Sequence, residues 1–204
     1  MEQIKEYEYV DLGLPSGLKW AKCNVGAEKE TDYGNYFMWG STEPNTKTIC
    51  TWATCPFNNC NTDYNNEYFN TIKNVVCPNG VLAKEYDAAY QATEGKAHMP
   101  TAEQFKELLD NTDNEWIEDF NGSGVNGRKF TSRTDTSKYI FIPAAGSRYS
   151  SSFFDQKHYG SVWSSSIVVS QPNCSSHLEF IYDDYRIGEY YHCDGFSVRS
   201  VSDN

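Results

Sequence analysis

The chain has 204 residues, enough for one well-buried core or for one domain carrying a sizeable insertion. Only 39% of it is hydrophobic but 15% is aromatic, so the core is expected to draw on Phe, Trp and Tyr. A net charge of −11 and a pI near 4.8 exclude a phosphate-binding Lys/Arg field and disfavour an anionic membrane surface.

The first third reads as short strands and turns. Residues Tyr9 to Ala21 alternate apolar positions around Gly13, Pro15 and Gly17, as in a hairpin. Tyr33 to Gly40 adds Tyr36, Phe37 and Trp39. From about residue 46 to 80 the chain is polar and rich in Asn and Thr, and reads as a loop-rich insertion with little core of its own. Two helices are expected next. Lys84 to Thr93 carries Tyr86, Ala89 and Tyr90 on one stripe. The second begins after Pro100, where Thr101 and Gln104 have capping-box spacing and Phe105, Leu108 and Leu109 form an apolar face.

After Asn121-Gly122-Ser123-Gly124 strands return, at Val125–Thr131, Tyr139–Pro143, Ser161–Ser165, His177–Tyr182 and Phe196–Val201. The order predicts an α+β fold, two helices beside twisted antiparallel sheets. The last sixty residues alternate framework pieces with runs dense in Tyr, Ser, Asp, His and Phe. Tyr gives rigid amphipathic contact area at low entropy cost and Ser gives adaptable hydrogen bonding, which points to recognition rather than catalysis.

Cysteine and histidine are the residue types that could carry metal or redox chemistry. Cys50, Cys55, Cys60 and Cys77 cluster in sequence, while Cys23, Cys174 and Cys193 are scattered. Their spacing is too loose for a structural zinc site, so thiols or disulfides are expected there. His98, His158, His177 and His192 show no metal spacing. Glu43-Pro44-Asn45 has the tripeptide of calcium lectins, but one Glu and one Asn supply too few oxygens, and a surface turn is the simpler reading. Trp163 reads as core and Arg199 as an anchor of the last strand, while Arg148 and Arg186 remain carboxylate-binding candidates. No metal, cofactor or nucleophile–base set is expected.

Seven ordered motifs carry a resemblance. Val10 to Ala21 (VDLGLPSGLKWA), Asn24-Val25-Gly26-Ala27, Tyr36-Phe37-x-Trp39-Gly40, Met99 to Glu103 (MPTAE), Pro143-Ala144-Ala145-Gly146, Trp163-Ser164-Ser165-Ser166 and Gly195-Phe196-Ser197-Val198-Arg199 resemble the Fibrobacter-type major paralogous domain family. The resemblance covers nearly the whole chain apart from the insertion. It implies a single C-type-lectin-like domain over residues 1–204, of the formylglycine-generating-enzyme subtype. It also implies a non-enzymatic display domain related to proteins diversified by retroelements in bacteria and phages, with a variable region at about 144–201.

Adenine-directed mutation of Asn-type codons yields Tyr, Ser, Asp, His, Phe, Ile, Val, Cys and Gly. Positions that fit this palette and are expected to contact ligand are Tyr149, Phe154, Asp155, His158, Tyr159, His177, Tyr182, Asp183, Asp184, Tyr185, Tyr190, Tyr191, His192 and Asp194. Ser161, Val162, Ile167, Val168, Cys174 and Ser175 fit the palette too, whereas Gln156, Lys157, Gln171 and Glu189 do not and read as framework. The expected partner is a protein or glycan, with no nucleic acid and no membrane insertion. The expected location is a cell surface, the secreted fraction or a virion, although Met1 to Glu6 has no apolar signal core. Two alternatives stay open: a thiol- or copper-dependent oxidase of the formylglycine-generating type, from whose cysteine pattern Cys174 and Cys193 depart, and a structural surface or tail subunit.

Overall fold

A computed structural model describes residues 7–57 and 72–203. Cys60, and with it part of the expected insertion, lies outside the described residues. The fold is mixed α+β, with mostly antiparallel sheets and few helices. In chain order the strands are β1 (Tyr9–Asp11), β2 (Lys19–Asn24) and β3 (Tyr36–Phe37). Helices α1 (Ala88–Ala92) and α2 (Ala102–Asn111) follow. Then come β4 (Thr112–Ile117), β5 (Gly127–Ser132), β6 (Tyr139–Pro143), β7 (Ser147–Tyr149), β8 (Ser152–Phe154), β9 (Gly160–Ile167), β10 (Cys174–Phe180), β11 (Tyr185–Tyr191), β12 (Phe196–Ser197) and β13 (Arg199–Ser202).

Among the described residues four sheets result, ordered β1-β2-β13, β11-β10-β9-β12-β3, β4-β5-β6 and β7-β8. The first joins the two ends of the chain, because β13 pairs antiparallel with β2. In the five-stranded sheet only β9 and β12 run parallel. Among the described residues no helix is long and apolar enough to cross a membrane.

Local sequence accounts for the helices. The Thr101 hydroxyl accepts from Gln104 N at 3.2 Å and the Gln104 amide oxygen accepts from Thr101 N at 2.9 Å, so two N-terminal donors are satisfied reciprocally. Phe105 and Leu108 on the inner face are fully buried. The helix expected over Lys84–Thr93 is shorter. Lys84–Tyr86 form a 3-10 turn and Asp87, in extended conformation, caps α1 by accepting from Tyr90 N. Its second oxygen accepts from Met99 N, which ties α1 to the approach of α2.

The core has two main parts. Trp20, Phe105, Leu108, Phe130, Ile140, Leu178 and Phe180 pack between α2 and the sheets. Trp39, Trp163, Phe196, Val198 and Met99 form the second. There the two tryptophans reciprocate: Trp163 Nε1 donates to Phe37 O at 2.9 Å and Trp39 Nε1 to Ser164 O at 2.8 Å. Trp163 is core, as its sequence context suggests.

The insertion departs from expectation. Phe57, Ile72, Val76 and Cys77 are buried in the Trp39–Trp163 core, so the segment shares the main core instead of lying outside it. Glu43-Pro44-Asn45 forms the expected turn, with Lys47 N and Thr48 N both donating to Pro44 O.

Four strands lie outside the sequence expectation. β4 is polar (TDNEWI) and lacks alternation. β7 and β8 are short, and β11 is interrupted by Gly188.

Candidate functional site

Among the described residues, the large hydrophobic side chains left exposed are Ile49, Val75, Phe153, Phe154, Val169, Ile181, Tyr182, Tyr185, Tyr190 and Tyr191. All but the first two fall between residues 153 and 191. An apolar group left in water is informative when several gather in one region.

Strand β11 organises this region. Its register against β10 sets Arg186 opposite Glu179, Gly188 opposite His177 and Tyr190 opposite Ser175. Side chains alternate across a strand, so these residues share one face while Tyr185, Ile187 and Tyr191 take the other. The contacts agree. Tyr190 packs on His177 (5.9 Å between ring centroids) and on Phe196 (5.2 Å), while Ile187 joins the Leu178–Phe180 core. Tyr185 lies 4.6 Å beneath the Arg128 guanidinium.

On the Tyr190 face, an open depression of about 390 Å³ is lined by Ser147, Asp155, His158, Tyr159, Ile181, Tyr190 and Phe196. One wall is the β7–β8 hairpin and the residues after it. Gly146, at φ +67, allows the hairpin to fold back, because a Cβ there would lie 2.0 Å from Phe154 O. The hairpin is fixed to the body through Tyr36. Phe153 packs on that ring at 5.3 Å, and Gln156 Nε2 donates to the phenol at 2.9 Å. Gln156 is thus framework, as its exclusion from the palette suggests.

A polar network lies beside the depression. The Tyr159 hydroxyl donates to Glu179 Oε2 at 2.6 Å and stands 3.3 Å from His177 Nε2. His177 Nε2 is 3.3 Å from the same carboxylate oxygen, and Arg186 Nε donates to Oε1. These partners, His177 first, hold the Glu179 carboxyl down at about 2. Burial, and then the Glu179 charge, raises the Tyr159 phenol. Gly188 leaves space for this network, since a Cβ there would stand 2.9 Å from both Glu179 and His177. Arg186 is therefore engaged by Glu179 through Nε, with its side chain otherwise largely exposed, while Arg148 lies 4.8 Å over the Phe153 ring.

The far end of β10–β11 is held by Arg128. Its Nη2 donates to Ile181 O at 2.8 Å and its Nη1 to Asn114 Oδ1 at 2.8 Å. Tyr182, Asp183 and Asp184 stand exposed on the turn so fixed, and Trp116 meets Tyr182 edge-on at 6.4 Å. The adjacent Asp183 and Asp184 therefore belong to a turn.

The fourteen expected contact residues divide. Phe154, Asp155, His158, Tyr182, Asp183, Asp184, Tyr185, Tyr190 and Tyr191 are exposed, and Tyr149, Tyr159 and Asp194 are half-buried. His177 and His192 are not on the surface: both are completely buried. His177 sits on β10, a strand flanked by β9 and β11 and covered on both faces. His192 stacks on Trp39 at 4.3 Å and its Nε2 lies 2.9 Å from Ser175 Oγ, and burial lowers its ring to about 3. Both are framework.

Ser161, Val162, Ile167, Val168, Cys174 and Ser175 are buried too, so fitting the palette did not place them outside.

Other contributors escaped sequence reading. Phe153 and Ile181 are exposed beside expected positions. Trp52 of the insertion meets Tyr191 edge-on at 5.4 Å, and Ser150 N donates to Cys50 O at 2.6 Å, so the insertion borders the same surface. No local signal foretold that contact. Cys50 and Cys55 meet Cys193 in one buried cluster with Met38, while Cys77 lies in the other core. Cys50 and Cys77 carry thiols.

Comparison of the chain with protein-family models, with curated proteins and with solved structures finds no match.

Proposed function

We propose that the chain is a non-enzymatic ligand-recognition domain with a C-type-lectin-like fold, displaying an aromatic surface from the region between residues 144 and 201 to a protein or glycan ligand. The observation that carries the reading is that, among the described residues, exposed large hydrophobic side chains fall at positions 153–191, apart from Ile49 and Val75. Aromatic side chains held exposed on a rigid sheet serve as anchors for a partner.

The motifs that resemble the major paralogous domain family support it. Ala144, Ala145, Trp163, Phe196, Val198 and Arg199 are buried, while the runs between them supply the exposed side chains. That division suits a scaffold whose surface positions change under retroelement mutagenesis. The adhesin-like role places the domain on a bacterial or phage surface.

The test has two arms. The locus is sequenced across isolates, and labelled protein is applied to arrays of surface glycans and surface proteins beside a Tyr190→Ala/Tyr191→Ala double variant. Codon changes concentrated at exposed positions, and an array signal lost in the variant, support the reading. Uniform codons sink diversification, and a signal indifferent to both substitutions sinks the display surface.

A further inference from the structure

We infer that the depression between the β7–β8 hairpin and the Tyr190 face of β11 receives a cationic side chain, arginine or lysine, presented by a protein partner. The inference rests on the recognition reading and names its ligand chemistry.

The lining is aromatic where a cation needs it. Tyr159 and Tyr190 contribute rings to one concavity of about 390 Å³, and the nearly buried Phe196 lines it as well. The face of an aromatic ring carries negative potential and attracts an ammonium or guanidinium group. Ile181 adds an apolar wall that suits the methylene stem of a long basic side chain.

Charge points the same way. Glu179 and Arg186 satisfy one another, so that pair offers a ligand little net field. Two carboxylates remain near Tyr190. Asp155 lines the depression and enters no ion pair among the described residues. Asp194 accepts from its neighbour, the Cys193 thiol, and also acts on Tyr190 electrostatically, as does Asp155. Lys157 and Arg148 do not line the depression, which leaves His158 as the one basic group lining it among the described residues. A net charge of −11 favours the approach of a basic partner over a wider range. An acidic or phosphorylated ligand meets repulsion at the same place.

The test uses the whole chain and a defined probe. Aromatic ring resonances are followed by NMR while Nα-acetyl-arginine N-methylamide is added, with the citrulline analogue as its uncharged match. The expected result is saturable movement of the Tyr159, Tyr190 and Phe196 signals with arginine and none with citrulline. Tyr190→Ala abolishes it. Asp155→Asn, which suits the positive φ of that turn, weakens it by roughly fivefold, the size of one exposed charge contact. Asp155→Asn keeps the proposal open to refutation should Tyr190→Ala disturb the fold. Equal movement with citrulline, movement that survives Asp155→Asn undiminished, or no saturable movement up to the solubility limit each overturns the cation site. Array binding that still depends on Tyr190 and Tyr191 would then leave the display surface standing, and loss of both results would remove both readings.

Discussion

Tyr185 and Tyr190 stand on the same strand and leave it by opposite faces: Tyr185 pairs with Phe180 beneath Arg128, and Tyr190 pairs with Ser175 against Phe196. Their sequence neighbourhood suggests one continuous tyrosine surface, and the pleat divides it. Substitution at the two sites should therefore act independently. Tyr185→Ala removes a cation–π contact and costs about 0.5–1 kcal/mol. Tyr190→Ala removes a half-exposed ring and costs about 1–2 kcal/mol. Urea unfolding of the single and double variants should give additive losses within about 0.5 kcal/mol. A larger coupling would mean that the two rings share an environment.

Arg199 is the most demanding residue of the scaffold. It is completely buried, and its Nε, Nη1 and Nη2 donate to Asn24 Oδ1, Ala21 O and Phe141 O at 2.8, 2.8 and 2.9 Å. One guanidinium thus joins β13 to β2 and to β6. Burial lowers it to about 10, so it stays charged at neutral pH. Arg199→Lys keeps the charge but cannot reach three acceptors in a fixed fork. Leaving buried carbonyls unsatisfied should cost about 3–5 kcal/mol. Chemical denaturation of Arg199→Lys and Arg199→Met would measure it, and a loss under about 1 kcal/mol would show that the fork is dispensable.

How much of this was legible in sequence depended on how local each feature is. The capping box of Thr101 and Gln104 and the β6 strand Tyr139–Pro143 were readable, because short-range spacing alone sets them. The anchoring role of Arg199 was also foreseen. Strand β11 was not, because an edge strand with Gly188 inside it and tyrosines on both faces has no period-two signature. The two histidines were misplaced for a related reason. Composition reports which side chains suit a surface, but Trp163, Tyr190 and Phe196 close over the His177 ring and Trp39 stacks on His192, contacts that only the tertiary fold creates. Ser164, Ser165 and Ser166 belong to a framework motif and are buried although polar. Their polarity is used internally, as when Ser164 Oγ donates to Ser176 O and Ser166 Oγ accepts from Ala102 N.

The buried thiols should be slow nucleophiles. Burial raises Cys50 to about 11 and Cys77 to about 12, and it raises Cys193 as well. The thiolate is the reactive form. At mildly alkaline pH the thiolate fraction of Cys50 is about a hundredfold below that of an ordinary thiol. Alkylation with iodoacetamide, followed peptide by peptide in the folded protein and in urea, should show Cys50 and Cys77 protected about a hundredfold or more by folding. Comparable rates in both conditions would place these cysteines at the surface.

His192 should make the fold sensitive to mild acid. Its ring is buried against Trp39 and stays neutral in the folded protein down to about pH 3, whereas in the unfolded chain it takes up a proton near its ordinary 6.5. The unfolded state therefore binds more protons between those values. The contribution is fully present above the unfolded value and is lost as pH falls toward the folded one. From about pH 6.5 to about pH 5 the loss is roughly 2 kcal/mol. His192→Gln keeps a polar group beside Ser175 and removes the titration. Urea midpoints for both proteins across that range should fall faster for the native sequence, whereas parallel curves would mean that the His192 ring takes up its proton without unfolding.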